Sequence, residues 1–483
     1  MMYKHSFSPF LAAALLITAL SASSCGASAE LPADTNPVPS GTEPLTEAVT
    51  EAVENPAPDL PERDYGGDSF VFLNGNTSYS YCKIVIDGES GDAVNDALFR
   101  RNTKIAERYN VTFEEIPSNA VTNDAMKSIQ SGDDAFDMAL MHCEDALAVT
   151  LQNGAVDYAD IPHLDLSREW WLRQTLDTMS LEGHHYFGVS MFDISHFEST
   201  RALFFNKRII EENDLTSPYE LVHNGTWTID KLKEYGLAAI RDLNGDGAWT
   251  NDDRYAFSSS ANVGAPALMI GMNAPLRLNK DENDLPFFNL DSEYYMDRLN
   301  KLTETLFCDD HFLIKNFKED ADFIGGHCLF YSNLITHVVN MRDMEDDFGI
   351  ITQPKYTEDQ DTYYNYGGSP FYMVIPQTAK DLERTGILME DLAYESMGVT
   401  DTAYYDVLLQ GKISRDAESR NMLDMIFSSL CYQIPVAQKY VQTDLCDQHI
   451  WKNKTDFASY FEKNREKIQN EIDKAVEAFT AGD

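Results

Sequence analysis

The sequence lacks long apolar segments and the common catalytic motifs. Its 483 residues include no run of 18 or more apolar residues, so we predict no transmembrane helix. The chain also has no G-x-S-x-G, P-loop, G-x-G-x-x-G or H-E-x-x-H pattern, the spacings typical of serine hydrolases, nucleotide-binding enzymes and zinc proteases. Carboxylates are too numerous for any one pair to indicate a glycosidase. These absences favour a protein that is not an enzyme.

Basic residues and closely spaced cysteines are also scarce. There are 37 Lys and Arg against 79 Asp and Glu, and the net charge is −42. Such an excess excludes nucleic acid as a partner and argues against an anionic lipid surface. Seven cysteines are present, but no pair has C-x-x-C spacing, which argues against a zinc or thioredoxin-type site. The adjacent His184 and His185 lack the i, i+4 spacing of a helical zinc pair. The spacing leaves disulfide pairing open.

The first 25 residues have the order of basic, apolar and small residues that is typical of a signal peptide. An apolar run from Phe10 to Leu20 follows Lys4, and small residues lead to Cys25. This pattern predicts that 1–24 is a lipoprotein signal peptide and that Cys25 is lipidated. Ordinary cleavage after a small residue is the alternative. With lipidation, the protein would lie on the extracellular face of the cell membrane of a Gram-positive bacterium, and the lipid anchor would be its only membrane contact.

A tether is predicted after the signal peptide, over residues 25–65. The segment is acidic and rich in Pro and Thr, and it has no basic residue before Arg63. Prolines and like charges extend a chain, and the segment has too little apolar surface to fold. We therefore expect a disordered spacer that holds a folded domain away from the membrane.

Strand-like and helix-like patterns alternate through the rest of the chain. Ser69–Leu73 reads as a buried strand, Asp92–Tyr109 keeps helical spacing of apolar residues, and Phe136–Met141 reads as another strand. Repetition of this alternation predicts an α/β protein with a mostly parallel sheet and helices on both faces. The length of the segment from residue 66 onward suggests two lobes.

Several short stretches resemble the carbohydrate-type extracellular solute-binding proteins of ABC importers, which are maltose-binding-protein-like. The resemblance covers nearly all of the chain after residue 65 and depends on the order and spacing of its parts. The matching stretches are Gly91–Ala97 with Arg101–Asn102, Phe136–Ala139, Trp170–Trp171, Phe204–Lys207, Tyr219–Val222 and Gly225–Thr228.

The resemblance implies a fold, a function and partners. The fold would be periplasmic-binding-protein-like type II, with two α/β lobes that close around a hinge on a ligand. Lobe one would comprise 66–197 and 323–377, and lobe two 198–322 and 378–483. The protein would act as a monomer that captures a small solute, an oligosaccharide, and delivers it to ABC permease subunits.

One local pattern fits a twelve-residue calcium loop. The ligands would be Asp242, Asn244, Asp246, the Ala248 carbonyl, Thr250 and Asp253, at loop positions 1, 3, 5, 7, 9 and 12. Oxygen ligands at this spacing suit Ca²⁺, which we expect to be structural. The last position normally carries Glu, so the shorter Asp253 puts the affinity in doubt. An Asp/Asn/Gly-rich surface turn without metal is the alternative.

Ligand-binding residues are expected in loops that follow strands, because such loops line the cleft of open parallel sheets. Aromatic faces suit the apolar side of a pyranose ring, while amides and carboxylates suit its hydroxyls. The residues chosen on these grounds are Asn74, Asn76, Glu144, Trp171, Asp193, Tyr331, Asn333 and Tyr366. For each of them, packing or loop capping is the competing role.

Other functions remain open from the sequence. A surface glycan-tethering or adhesion protein without a transport role would have the same anchor and calcium loop. A binding protein for a non-sugar solute, such as a peptide or a polyamine, would share the fold. A polyamine would need several carboxylates in the cleft, whereas a sugar would need stacking aromatics and few net charges.

Overall fold

The computed structural model describes residues 56–274, 279–314, 317–408, 416–434 and 444–480, which belong to the unit Asn55–Asp483. The predicted signal peptide, Cys25 and most of the predicted tether lie outside these ranges. The described end of that tether, residues 56–65, contains no helix or strand. Tyr65 nevertheless joins the folded part, because its N–H donates to the Tyr109 carbonyl at 2.9 Å.

Strands and helices alternate along the chain. The strands are β1 (Asp68–Asn74), β2 (Val111–Pro117), β3 (Met138–Met141), β4 (Arg201–Asn206), β5 (Tyr255–Ser258), β6 (Asn279–Lys280), β7 (Pro286–Phe287), β8 (Cys328–Leu334), β9 (Phe348–Ile351), β10 (Asn365–Tyr366), β11 (Tyr372–Val374) and β12 (Leu430–Cys431).

The helices vary from one turn to 23 residues. They are α1 (Ala93–Tyr109), α2 (Val121–Ser131), α3 (Cys143–Thr150), α4 (Arg173–Met179), α5 (Ser195–Glu198), α6 (Lys207–Glu212), α7 (Pro218–His223), α8 (Ile229–Ala239), α9 (Ala261–Gly271), α10 (Glu293–Leu306), α11 (Asp320–Ile324), α12 (Leu382–Ser396), α13 (Thr400–Leu408), α14 (Ala417–Ser428), α15 (Cys446–Gln448) and α16 (Phe457–Phe479). Short 3₁₀ turns occur at Tyr158–Asp160, Ile335–Val339 and Ile450–Lys452. None of the helices in the described ranges is both long and apolar enough for a membrane span.

The first sheet has the strand order β11-β3-β1-β2. Strand β1 pairs in parallel with β2 and β3, and β11 adds an antiparallel edge. The predicted strand–helix–strand alternation is confirmed here. Helix α1 begins after Asp92, whose carboxylate accepts the N–H groups of Val94 and Asn95 and so caps the helix. It ends at Asn110, which takes the left-handed conformation that asparagine tolerates.

The second sheet has the order β5-β8-β4-β9, in which β4 is antiparallel to both β8 and β9. The predicted division of the chain placed β8 and β9 in lobe one, within 323–377. In the structure β8 and β9 instead pair with β4, which lies in the segment predicted for lobe two. Of the strands in 323–377, β11 does join the first sheet, through β3. All of these strands are buried apolar runs, and such a pattern does not reveal which distant strand will be the partner.

Helix α12 also lies with the first sheet, although its residues fall in the segment 378–483 that was predicted for lobe two. Arg108 of α1 makes a 2.6 Å ion pair with Asp391 of α12, whose carboxylate is buried. Lys104 of α1 pairs with Glu395 of the same helix. The chain therefore returns to the first sheet for β11 and α12 before it enters α14, which packs on β9 of the second sheet.

Candidate ligand-binding site

Two segments that connect the sheets lie against each other. The first crossing segment, Ser195–Arg201, leads into β4. The second crossing segment, Gly367–Phe371, leads to β11 from β10, which follows β9 along the chain and pairs with β12 in a separate two-stranded sheet. The Ser199 hydroxyl donates to the Gly367 carbonyl at 2.5 Å. The Phe371 N–H donates to the Ser195 hydroxyl at 2.8 Å. These bonds hold both connections together at the place where the two sheets meet.

A group of buried polar side chains surrounds this junction, and we call it the crossing cluster. Its members share almost complete burial and come from separate elements: Arg201, Gln353, Tyr366, Tyr432 and Gln433 are 7%, 0%, 0%, 1% and 2% exposed. Within the part of the chain that the structure describes, both amide atoms of Gln353 and of Gln433 have no hydrogen-bond partner. The same holds there for the Tyr432 hydroxyl and for Nε of Arg201.

Close contacts connect the members of the crossing cluster. The Arg201 guanidinium lies 5.4 Å from the centroid of the Tyr366 ring. Gln353 follows β9, and its N–H donates at 3.0 Å to the Asn365 side chain, beside Tyr366. The Tyr432 ring lies against Gly367, because a Cβ on that glycine would be 2.4 Å from Cε1 of the ring. The cluster therefore gathers the start of β4, the end of β9, β10 and the segment after β12.

The chemistry of the crossing cluster suits a neutral ligand that carries hydroxyl groups. A buried polar atom without a partner costs about 1–3 kcal/mol, and a ligand that supplies the partner recovers that loss. An amide offers both a donor and an acceptor, as a hydroxyl does. Burial is the largest influence on the pKa of Tyr366; Arg201 lowers this pKa and Glu144 raises it, so charges of both signs lie nearby. The net effect of burial is to raise the pKa of the Tyr366 phenol, which stays neutral.

Two residues that the sequence predicted for the site lie at this place. Tyr366 is a member of the crossing cluster. Glu144 is exposed at the start of α3, directly after β3, and its charge contributes to the raised pKa of Tyr366. His142, one position before α3, packs its ring 4.1 Å from Phe371 of the second crossing segment. The end of β3 thus faces the junction, as expected for the carboxyl edge of a parallel sheet.

Three other predicted residues line a small cavity of about 10 Å³ beside Arg101. Asn74 donates to the Cys82 carbonyl and to Glu115, each at 2.7 Å, and accepts the Asn76 N–H. The Asp193 carboxylate accepts the Ser195 N–H at 3.2 Å, and burial raises its pKa to about 6. In this arrangement Asn74, Asn76 and Asp193 stabilise loops.

Trp171 lies in the hydrophobic core that packs against the first sheet. Trp170 and Trp171 are almost fully buried, and their indole N–H groups donate to the two oxygens of Glu390 at 3.1 and 3.0 Å. Burial raises the pKa of Glu390 to about 7. The sequence favoured Trp171 for the cleft, whereas the structure gives both rings a packing role.

Tyr331 and Asn333 belong to a polar network on the second sheet. The Tyr331 hydroxyl donates to Asp320 at 2.8 Å, and the Asn333 amide donates to the Tyr331 hydroxyl. His337 lies 2.7 Å from the same Asp320 carboxylate. Both predicted residues thus have internal partners, and neither is a member of the crossing cluster.

The loop 242–253 has the turns that a calcium loop requires in its first half. Asp242 accepts the Gly247 N–H at 2.8 Å, Asn244 accepts the Asp246 N–H at 2.9 Å, and Asp246 accepts the Ala248 N–H at 2.7 Å. The polar side chains at positions 1, 3 and 5 therefore each cap a turn of the loop.

The second half of this loop fits calcium less well. Asp253 is almost fully buried, and its oxygens accept the Leu243 N–H at 3.0 Å and the Thr250 N–H at 2.8 Å. Across the described ranges, no three Asp, Glu, His or Cys side chains are grouped closely enough to hold a metal ion. Calcium binding, with Asp242, Asn244, Asp246, Ala248, Thr250 and Asp253 as ligands, stays a prediction.

Most members of the crossing cluster were missed by reasoning from sequence. Arg201, Gln353, Tyr432 and Gln433 belong to no motif, and glutamine and arginine are usually exposed. The only signal is positional, since Gln353 follows β9 and Gln433 follows β12. Which strand ends meet depends on the pairing of distant segments, and the sequence does not reveal that pairing.

Comparison with solved structures gives matches that cover most of the chain. An ABC substrate-binding protein from Listeria monocytogenes in complex with cycloalternan matches with 12% identity and a TM-score of 0.52, over 85% of this chain and 99% of its own. The sugar-binding protein MalE from Xanthomonas citri matches with 13% identity and a TM-score of 0.54, over 83% and 99%. UgpB from Mycobacterium tuberculosis, in complex with glycerophosphocholine, matches with 12% identity and a TM-score of 0.53, over 85% and 99%.

No protein-family model matches the chain, and no curated protein matches it. At these identities the structural similarity defines the fold. The chain has the periplasmic-binding-protein-like α/β fold, which it shares with the carbohydrate ABC solute-binding proteins that it matches.

Proposed function

We propose that the protein is the lipid-anchored solute-binding component of an ABC importer and that it captures a saccharide at the crossing cluster. The observation that carries the proposal is the set of buried polar atoms at this junction that have no partner among the described residues: the amides of Gln353 and Gln433, the Tyr432 hydroxyl and Nε of Arg201, whose Nη1 donates to the Ser199 carbonyl. Their donors and acceptors match the hydroxyls of a sugar. The Tyr366 and Tyr432 rings would supply apolar faces for a pyranose.

The resemblance in fold supports the same proposal. The Listeria protein binds cycloalternan, an oligosaccharide, and MalE is described as a sugar-binding protein. For this chain we propose an oligosaccharide, bound as the two lobes close around the crossing segments. The bound saccharide would supply partners for the unpaired groups and so recover the cost of their burial.

Thermal unfolding of the protein with a panel of mono- and oligosaccharides tests this function. A ligand at 100 times its Kd stabilises a folded protein by about 2.7 kcal/mol, and the melting temperature rises by a few degrees. A shift confined to one class of saccharide supports the proposal and identifies the class. The panel should include glycerophosphocholine, peptides and polyamines, because a shift with one of these alone would refute the saccharide assignment.

The anchor and partners complete the proposal. We propose that Cys25 is lipidated, that the monomer is held on the extracellular face of the membrane, and that it delivers ligand to ABC permease subunits. Metabolic labelling with a fatty acid tests the anchor, with Cys25→Ser as the matched variant. Loss of label in that variant is expected, and label that persists would contradict lipidation at Cys25.

We also propose that calcium, if bound at 242–253, is structural. The loop connects α8 with β5, so a bound ion would brace the second sheet. The adhesion alternative shares this loop and the anchor. A broad panel of sugars without any effect on unfolding would favour that alternative.

A further inference from the structure

A second cavity, of about 370 Å³, lies at the first crossing segment and is lined by segments that follow β1 of the first sheet and β8 of the second. We call it the hinge cavity. One wall comes from the segment between β1 and α1, the second from the chain after β8, and the third from α13. Its lining includes Ser80, Tyr81, Asp92, Glu198, Arg342 and Tyr404.

Glu198 is the buried acidic group of the hinge cavity. Its side chain is 0% exposed, although it lies on the segment that joins the two sheets. The carboxylate accepts the N–H of Ser80 at 3.1 Å and the N–H of Tyr81 at 3.3 Å. One residue of the crossing segment is therefore bonded to the long loop that follows β1.

The groups that face Glu198 come from every element around it. Burial raises the pKa of the Glu198 carboxyl, and the charge of Asp193, on the same connection, raises it further. Tyr79 and Tyr81 on the loop and Tyr404 on α13 all have their pKa raised in part by the charge of Glu198. Asp92 and Arg342 face Tyr81 with opposite charges. Among the described residues, no Lys, Arg or His forms an ion pair with Glu198, so burial and Asp193 outweigh the two N–H donors and its pKa rises to about 7.

We propose that Glu198 is a proton-linked switch of the hinge, so that proton uptake by its carboxyl favours the lobe arrangement in which the hinge cavity is closed around it. The proposal rests on the proposed function, because it assumes that the two lobes move relative to each other. A rotation would separate the wall that follows β1 from the wall that follows β8, and water would then reach the carboxyl.

The direction of the pH effect follows from linkage. A hydrated glutamate returns toward the ordinary pKa of 4.5, whereas burial holds the pKa at about 7 in the arrangement described above. The state that binds the proton more tightly is favoured as pH falls. The effect is confined to the window between these two values, and it lets an acidic exterior bias the protein toward the closed arrangement.

Distance measurements between spin labels on the two lobes, made on the full chain without any ligand, test the switch. Labels introduced as unnatural amino acids at Lys127 on α2 and Leu237 on α8 leave the native cysteines untouched. We expect the ratio of closed to open arrangement to rise about 70-fold between pH 8 and pH 5, since the two pKa values, about 7 and 4.5, differ by about 2.5 units and each unit is a factor of ten in the equilibrium. Glu198→Gln, which resembles the protonated form, should remove this dependence.

The control is Glu390→Gln. Glu390 is also buried with a pKa of about 7, but its partners Trp170 and Trp171 lie in the core beside the first sheet, away from the crossing segments. This variant should keep the pH dependence of the wild type. If Glu198→Gln does not fold, Asp193→Asn should move the midpoint to lower pH, because it removes a neighbouring negative charge.

A single distance at every pH, or an unchanged pH dependence in Glu198→Gln, would overturn the proposal. Because no ligand is present, these outcomes do not bear on saccharide binding. A protein that binds a sugar equally well at pH 5 and pH 8 and shows no pH-dependent distance would retain the proposed function and lose the switch.

Discussion

The Ser199 hydroxyl donates a 2.5 Å hydrogen bond to the carbonyl oxygen of Gly367, and this bond joins the first and second connections between the two sheets. Gly368 continues the same contact with a φ of +69°. A Cβ at Gly368 would lie 2.1 Å from the Ser199 carbonyl oxygen. The two crossing segments are thus packed so tightly that only glycine fits at position 368.

Gly368→Ala should therefore destabilise the protein strongly. A non-glycine residue in the left-handed region costs about 1–2 kcal/mol, and the clash with Ser199 adds to this, so we expect a loss of about 3 kcal/mol or more. Urea unfolding measures the effect. Gly245→Ala is the control, because Gly245 has a similar φ of +73° but nothing within 4 Å of a Cβ. Equal losses in the two variants would contradict tight packing at the junction.

The buried carboxyl of Glu390 should make stability depend on pH. Its folded-state pKa of about 7 lies above the ordinary 4.5, so the folded state keeps a proton that the unfolded state releases. This contribution is fully present below pH 4.5 and is lost as pH rises through 7, with a size of roughly 1–3 kcal/mol. Urea unfolding between pH 4.5 and 8 should show a shallower decline in Glu390→Gln than in the wild type. Identical slopes would show that Glu390 does not titrate in this window.

Calcium should bind the loop 242–253 if the predicted ligands act together. Calorimetric titration should give one ion per chain, and a raised melting temperature should accompany it. The double variant Asp242→Asn and Asp246→Asn should lose both effects. Asp252→Asn is the control, since Asp252 is exposed and is not a predicted ligand. No calcium bound at millimolar concentration would refute the site and leave a metal-free turn.

Substitution of the amides without a partner, Gln353 and Gln433, should affect stability differently from substitution of the hydrogen-bonded amide Asn365. Gln353→Met and Gln433→Met keep the side-chain volume and remove polar atoms that have no partner within the described residues, so stability without ligand should stay equal or rise. Asn365→Leu is the contrast, because Asn365 bonds to Thr352 and Ser429. We expect it to lose about 1–3 kcal/mol on urea unfolding. A comparable loss in the Gln variants would mean that their amides are already satisfied.

The sequence predicted the elements of the first sheet well, because local patterns determine them. The spacing of apolar residues and the cap at Asp92 define α1, and the apolar run before Asn74 defines β1. The sequence placed β8 and β9 in lobe one, whereas in the structure both pair with β4 of the second sheet. This antiparallel pairing joins segments more than 100 residues apart in sequence. The local pattern of apolar residues does not indicate which distant strand will pair with a given strand.

The candidate site was less predictable than the fold for the same reason. Tyr366 and Glu144 were chosen from the loops near strand ends, and both lie at the junction. Trp171 has an aromatic ring of the kind that stacks on sugars, but its indole N–H donates to Glu390, more than 200 positions away, and the ring lies in the core. Gln353 and Gln433 become notable only when their burial and lack of partners are known.

Isothermal calorimetry with the saccharide that gives the largest thermal shift, on the wild type and on Gln433→Met, tests the central claim most directly. We predict one saccharide per chain for the wild type and an affinity about 5- to 100-fold weaker for the variant, because a buried hydrogen bond to the ligand contributes roughly 1–3 kcal/mol. Saccharide binding with the same affinity in both proteins would place the ligand away from the crossing cluster. No binding of any saccharide to the wild type would contradict the proposed function itself.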